Sequence, residues 1–267
     1  MKLRELQRHW HRFGQRDPLW SIVSWDDKAR NRWNADEFFK LGQEEIGGLM
    51  ACIQTLLPTL PQARALDFGC GVGRLSQALA SHFEEVIGVD IAPSMIKHAQ
   101  RYNRHGHRCR YYLNQKDDLR LFESATFDLI YSTLVLQHMM PVYARSYIKE
   151  FLRILAPGGL LVFQLPSEKV GPPGGSPQAS DQALAERSGP AWRRLAKRVI
   201  PERCLEEYRR FRDRNEVPTM EMYAIKREEV EVFLVQNGAR MVYVEPYQAT
   251  GPEFVGFRYF ATKADAT

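Results

Sequence analysis

Apolar residues in this chain fall into short blocks separated by stretches of helical spacing. Blocks rich in β-branched and aromatic residues predict buried strands over Ala63–Phe68, Glu85–Asp90, Arg110–Leu113, Phe127–Ser132 and Leu160–Leu165. Between them, apolar positions recur every three or four residues over Arg74–His82, Ser94–Asn103 and Val142–Leu155, which predicts helices. Pro157-Gly158-Gly159 supplies the breaker after the third of these. Near the carboxyl end, Lys226–Gln236 reads as a helix stopped by Asn237-Gly238. Two apolar runs follow, Met241–Tyr247 and Phe254–Ala261, joined by the turn-forming Ala249-Thr250-Gly251-Pro252. Strand and helix alternate through the middle of the chain. That pattern predicts an α/β fold, doubly wound, with a mostly parallel seven-stranded sheet covered by helices on both faces.

The junction of the first strand and first helix carries candidate chemistry. Ala65-Leu66-Asp67-Phe68-Gly69-Cys70-Gly71-Val72-Gly73 ends a strand in an acid and turns through three glycines. One helix later, Val86-Ile87-Gly88-Val89-Asp90 again ends in an acid. Glycines permit a tight turn and let a ligand approach the backbone. The following helix points its amides and dipole at that ligand. Asp90, at a strand tip, is placed to accept hydrogen bonds from ribose hydroxyls. A phosphate loop would need Gly-Lys-Ser/Thr, and Arg74-Leu75 follows Gly73 instead. The dinucleotide fingerprint would want a small residue at Arg74, and a pyrophosphate would sit badly beside Asp67. A cofactor with a free ammonium suits that carboxylate better. An ordinary strand–turn–helix cluster without a ligand is the bland alternative.

Four segments in order resemble the class I S-adenosylmethionine-dependent methyltransferases, over roughly residues 60 to 166. These are Leu66 to Leu75, Val86 to Met95, Phe127-Asp128-Leu129-Ile130-Tyr131-Ser132, and Glu150 to Gly159 with its Ala-Pro-Gly-Gly ending. The resemblance implies a Rossmann-like methyltransferase fold with S-adenosyl-L-methionine as cofactor. It implies that Gly69, Cys70, Gly71 and Gly73 cradle the aminocarboxypropyl tail, with Asp67 near its ammonium. Asp90 would take the ribose hydroxyls and Ile91 the adenine, with Met95 and Ser132 also in the cofactor site. After the third strand such proteins commonly show Gly-Asp-Ala, whereas this chain has Asn114-Gln115-Lys116. Gln115, or Asp117 in its stead, would then meet the adenine amino group. Ser132-Thr133-Leu134-Val135-Leu136-Gln137-His138 leaves the fourth strand beside the expected methyl position. His138 is the candidate general base, with a capping or packing histidine as the alternative.

Two regions lie outside the cofactor-binding core of 59–166. The first is an amino-terminal arm, residues 1–58, helical in pattern and rich in tryptophan (Trp10, Trp20, Trp25, Trp33). The second, residues 167–222, opens on the loop-forming Gly171-Pro172-Pro173-Gly174-Gly175-Ser176-Pro177 and continues as a charged, helical stretch over Gln182–Arg214. Residues 223–267 then complete the sheet with the helix and hairpin. Arm and insertion together read as a lid and substrate pocket, surface packing being the alternative for the insertion. In the arm, Arg32, Trp33, Phe38 and Phe39 are candidates to close over the cofactor, although aromatics at helical spacing are more commonly core.

Composition refines the choice of partner. Length (267 residues) and 44% hydrophobic content suffice for one elaborated domain. Cys52, Cys70, Cys109 and Cys204 are scattered, with no Cys-x-x-Cys and no zinc spacing, so no metal is expected. Neither a signal-peptide stretch nor a membrane-length run is present in the sequence, which leads to the expectation of a cytoplasmic protein. A net charge of +5 raises nucleic acid as a partner. Arg193, Arg194, Lys197, Arg198, Arg209, Arg210, Arg212 and Arg214 are, however, interleaved with Glu202, Glu206, Glu207 and Asp213, which dilutes a phosphate-binding face. The fourth strand also lacks the Asn/Asp-Pro-Pro-aromatic sequence common in amino-directed nucleic-acid methyltransferases. The expected activity is methyl transfer to a small molecule or glycan, at oxygen rather than nitrogen. The alternatives are an RNA methyltransferase, a cofactor-binding accessory protein without turnover, and an NAD-dependent oxidoreductase. Acceptor identity and oligomeric state are not legible.

Overall fold

In the computed structural model, residues 1–170, 218–249 and 251–264 are described. The expected loop at 171–177 and helix over 182–214, with their basic cluster, lie outside the described residues. β1 (Arg64–Phe68), β2 (Glu85–Asp90), β3 (Cys109–Leu113), β4 (Phe127–Ser132) and β5 (Leu155–Lys169) pair in parallel, in the order β3-β2-β1-β4-β5. β6 (Ala239–Pro246) and β7 (Phe254–Lys263) form the expected hairpin. β7 inserts between β5 and β6 and runs antiparallel to both, completing seven strands. No helix among the described residues is long and apolar enough to cross a membrane.

The sheet is buried on both faces, and the period of two along each strand divides the core. Leu66, Phe68, Leu161 and Phe163 face α5 (Pro141–Ile154) and α6 (Arg227–Gln236), packing with Ile148, Phe151 and Leu234. Their neighbours Ala65, Leu160 and Val162 face the other way. They meet α2 (Ala35–Leu56), α3 (Arg74–Leu79) and α4 (Pro93–Tyr102) through Ile46, Leu49, Ile53, Leu79 and Ile96. Each such aliphatic side chain contributes about 1.5–3 kcal/mol by leaving water. α2, the second half of the arm, is therefore one layer of the sheet's own core. It starts at Asn34, whose side chain accepts from the Glu37 amide at 3.1 Å, an N-cap reinforced by Asp36 and Glu37 in the first turn.

Most element ends fall within two residues of the sequence reading, with informative exceptions. The helix expected to reach His82 stops at Leu79, and the chain leaves through tight turns at 80–83. β5 starts at Leu155, well before Leu160, because Leu155 pairs with Phe127 ahead of a register shift that accommodates Pro157-Gly158-Gly159. Trp33, Phe38 and Phe39, expected to close over the cofactor, are packed inside the fold. They form a separate buried cluster with Leu19, Val72, Ala92 and Met95, under the arm, while Arg32 is exposed.

The first half of the arm, α1 (Leu3–Arg16), lies on α4. The Ser94 amide and hydroxyl donate to His11 Nδ1 (3.2 Å) and to the His11 carbonyl (2.7 Å), and His98 Nε2 donates to the Gly14 carbonyl at 2.9 Å. Gly14 permits this approach, since a Cβ there would overlap the Ser94 side chain. Gly14→Val is expected to cost about 1–3 kcal/mol and to lower hydrogen–deuterium exchange protection across Leu3–Arg16, leaving β1 and β4 protected. Unchanged protection of α1 would show that this contact does not hold the arm.

Candidate active site

Strand order reverses between β1 and β4, so a crevice opens at the carboxyl ends of these strands. There the structure places a cavity of about 650 Å³, within the range of pockets that enclose cofactor-sized molecules. The turn after β1 forms its floor. Gly69, Gly71 and Gly73 have φ of 78°, 54° and 85°, a left-handed region that carries a steric cost for side chains. A Cβ on Gly69 would overlap Val135, and one on Gly71 would stand 2.6 Å from Ile22 Cδ1. The turn is pinned to β2 by the Gly69 and Cys70 amides, which donate to the Val89 carbonyl at 2.7 and 3.0 Å.

The two strand-end acids differ in surroundings. Asp67 is 2% exposed and accepts from the Ser76 hydroxyl at 2.6 Å. Burial lifts its carboxyl to about 7, against the opposing influence of that hydrogen bond and of the Arg74 charge. Asp90 accepts from the Gly71 amide at 2.9 Å and the Ala92 amide at 2.8 Å, one on each oxygen. Burial raises it to about 6, and the backbone donors oppose that rise. Each Asp90 oxygen keeps a further lone pair for a ligand donor.

The sequence-selected residues divide into those on the cavity wall and those behind it. Asp67, Gly69, Cys70, Gly71, Asp90, Ile91 and His138 line the cavity. Gly73 stands behind, at the N-cap of α3, packed against Tyr111. Met95 is in the arm's aromatic cluster. Ser132 is fully buried, its hydroxyl without a hydrogen-bond partner among the described residues. Gln115 and Asp117, expected at the adenine, are exposed and off the wall. Asn114 lines the cavity instead, because its amide continues β3's pairing to the Asp90 carbonyl and its side chain bends back to the Asp118 carbonyl at 2.8 Å.

His138 sits in a single 3₁₀ turn, Leu136–His138. Its Nδ1 lies 3.0 Å from the Glu221 carbonyl, an acceptor only, so this nitrogen carries the proton. Its Nε2 faces the Gln137 side-chain amide at 3.2 Å, and the Trp10 ring meets its edge at 5.3 Å. Burial lowers its pKa to about 4. Leu134, just before, has φ of 59°, a strained conformation held by its amide donating to Gln164 Oε1 at 3.1 Å.

Sequence reading missed a polar corner on the same wall. Arg74 is 5% exposed and forms an ion pair through Nη2 with Glu45 Oε2 at 2.9 Å. The Tyr131 hydroxyl donates to the other Glu45 oxygen at 3.0 Å. The Tyr247 hydroxyl faces Thr133, and burial keeps that phenol protonated. Arg74 was visible directly after the glycines, but Glu45 and Tyr247 come from α2 and the end of β6, too far along the chain to associate by spacing.

Residues 66–163 match the methyltransferase domain family. The chain is 32% identical over 123 residues to a malonyl-[acyl-carrier protein] O-methyltransferase of Herminiimonas arsenicoxydans, covering 45% of this chain and 43% of that protein. It is 31% identical over 137 residues to a trans-aconitate 2-methyltransferase of Deinococcus radiodurans, covering 51% and 50%. The chain thus spans about half or less of the length of the curated relatives it matches. Among solved structures, magnesium protoporphyrin IX methyltransferase of Synechocystis PCC 6803 with bound S-adenosylhomocysteine superposes with a TM-score of 0.61 at 16% identity, covering 98% of this chain and 99% of that one. The matched segment holds the glycine turn and runs from β1 into β5, and the fold is shared with that solved methyltransferase.

Proposed function

We propose that this protein binds S-adenosylmethionine in the cavity above β1 and β4 and transfers its methyl group to an oxygen of a small molecule. The observation that carries the reading is the presence of Asp67 and Asp90 on one cavity wall, on either side of the glycine turn. Asp67 is a buried carboxyl whose raised pKa marks an uncompensated charge, which a ligand ammonium would relieve. Asp90 has lone pairs for two ribose hydroxyls, and Asn114 and Ile91 stand beyond it for the base. Gly69 and Gly71 line the cavity where the aminocarboxypropyl tail would lie. When bound, the sulfonium supplies an electrophilic methyl carbon, and the protein's task is to align an acceptor and exclude water. Leu3, Leu6, Trp10, Trp25 and Met139 provide an apolar enclosure for that alignment. The names of the relatives, with malonyl and trans-aconitate acceptors, support a small molecule over a glycan or RNA.

His138 we assign to positioning. Its proton-bearing nitrogen is spent on Glu221, its other nitrogen faces Gln137, and its conjugate acid is too acidic for efficient proton removal near neutrality. His138→Ala is expected to lower kcat less than about tenfold, with no acid limb lost from the pH profile. A drop of a hundredfold or more would restore it as the base.

Asp67 gives a pH dependence with a defined sign. Its carboxyl is protonated below about 7 in the free protein, whereas an ammonium ligand selects the carboxylate. Affinity for S-adenosylhomocysteine should therefore rise with pH up to about 7 and flatten above. It should change by up to about tenfold per unit below that point. Calorimetry at pH 6 in buffers of different ionisation enthalpy should show proton release, and Asp67→Asn should abolish both effects. A pH-independent affinity would separate Asp67 from the ammonium.

A further inference from the structure

The wall residue with the most unspent binding capacity is Arg74. Its side chain is 6% exposed, yet Nε has no hydrogen-bond partner among the described residues. A buried N–H left unmade costs free energy comparable to a lost hydrogen bond, and more when charged. Glu45 engages only Nη2, and the Phe38 ring lies 5.9 Å from the guanidinium carbon. The side chain leaves the first helical residue after the glycine turn and reaches toward α2 and the end of β6. Asp90 and β3 lie in the opposite direction along the sheet. Arg74 thus faces the half of the cavity left over once the ribose is assigned to Asp90.

With Asp67 assigned to the donor's ammonium, the described residues of that half offer few groups able to take a proton. Each Glu45 oxygen already has one partner, Arg74 or the Tyr131 hydroxyl. Burial holds Tyr131 and Tyr247 in their protonated forms. Both His138 nitrogens face partners, and its conjugate acid lies far below neutrality. Transfer to an alcohol or amine needs a base, whereas an acceptor that arrives already ionised needs none.

We propose that Arg74 receives a carboxylate of the acceptor and that this carboxylate is the group methylated. The proposal rests on the methyltransferase reading above. One carboxylate oxygen forms a bond to the methyl carbon as the carbon–sulfur bond breaks, and the sulfur keeps the electron pair. The products are a neutral methyl ester and a neutral thioether, with no proton to remove. A guanidinium–carboxylate contact orients the planar group while leaving a lone pair of the reacting oxygen free. The ester product carries no charge to hold it there, which favours its release.

The test uses the full chain with methyl-tritiated S-adenosylmethionine and a panel of di- and tricarboxylic acids and acyl thioesters bearing a free carboxylate, each beside its primary amide. The expected product label is released by mild alkali as volatile methanol, the signature of an ester, and the amides are inert. Label that stays non-volatile after alkali, or appears on the amides, overturns the carboxylate proposal and leaves methyl transfer standing. No label at all, with S-adenosylhomocysteine failing to bind, overturns the underlying reading and the proposal with it. Arg74→Lys keeps the charge but loses the fork. It is expected to weaken binding of the accepted acid to the S-adenosylhomocysteine-loaded protein about ten- to a hundredfold, followed by quenching of Trp10 and Trp25 fluorescence. Affinity for S-adenosylhomocysteine itself should change less than about twofold. The opposite pattern, with cofactor binding lost and acid binding kept, would place Arg74 on the donor's own carboxylate and refute its assignment to the acceptor.

Discussion

The Asp90 carboxylate is the constraint on which the site depends. One oxygen takes the Gly71 amide and the other the Ala92 amide, so a single side chain ties the turn after β1 to the turn after β2. Parallel pairing of β1 with β2 brings those turns side by side, and the Val89 carbonyl receives two further amides from the glycine run. The left-handed conformations at Gly69, Gly71 and Gly73 are held by these bonds. A charge withdrawn from water is costly unless donors surround it. Asp90 has donors on both oxygens, whereas Asp67 has one hydroxyl, and the higher pKa of Asp67 follows from that difference.

The sheet and its site were legible in the sequence to the extent that local rules govern them. β2 and β4 match their apolar blocks residue for residue, because strands buried on both faces read as continuous apolar runs and end where glycine or polar residues begin. Asp67, Gly69, Gly71 and Asp90 could be found for the same reason, since each sits at a strand end or in a turn with a demanding backbone. Adjacent residues of β1 and β5 serve opposite helical layers, which fixes their register. The β7 insertion between β5 and β6 satisfies the same rule with reversed direction.

Where sequence reading fell short, the deciding interactions join distant segments. Trp33, Phe38 and Phe39 were candidate lid residues, yet their fate depends on Val72 and Met95, which arrive from the glycine turn and from α4. Asn114 rather than Gln115 reaches the wall because β3's pairing with β2 extends one residue past the strand, a matter of register. Glu45 belongs to a helix with a clear apolar stripe, and nothing local distinguishes it from any solvated acid. It became a wall residue because α2 packs on the same face of the sheet that α3 covers, bringing Arg74 alongside.

The three wall features outside the glycine turn have a common physical origin. Leu134 is held in a strained conformation by Gln164, His138 is kept neutral and engaged by Glu221 and Gln137, and Arg74 is buried with one N–H unmet. Each costs the fold stability, and none is needed to close the sheet. Strain and unmet polarity persist where the surrounding structure over-determines them. Here β4, β5, α2 and the 221–225 segment do so, the last through the Tyr223 amide donating to the Gln137 carbonyl at 2.7 Å and the Ile225 amide to the Pro166 carbonyl at 3.0 Å. A wall that removes water from a guanidinium while engaging the His138 imidazole at both nitrogens is the physical ground for the anionic acceptor proposed above. The glycine turn is set by local backbone demands, whereas this polar corner is assembled from elements far apart in the chain.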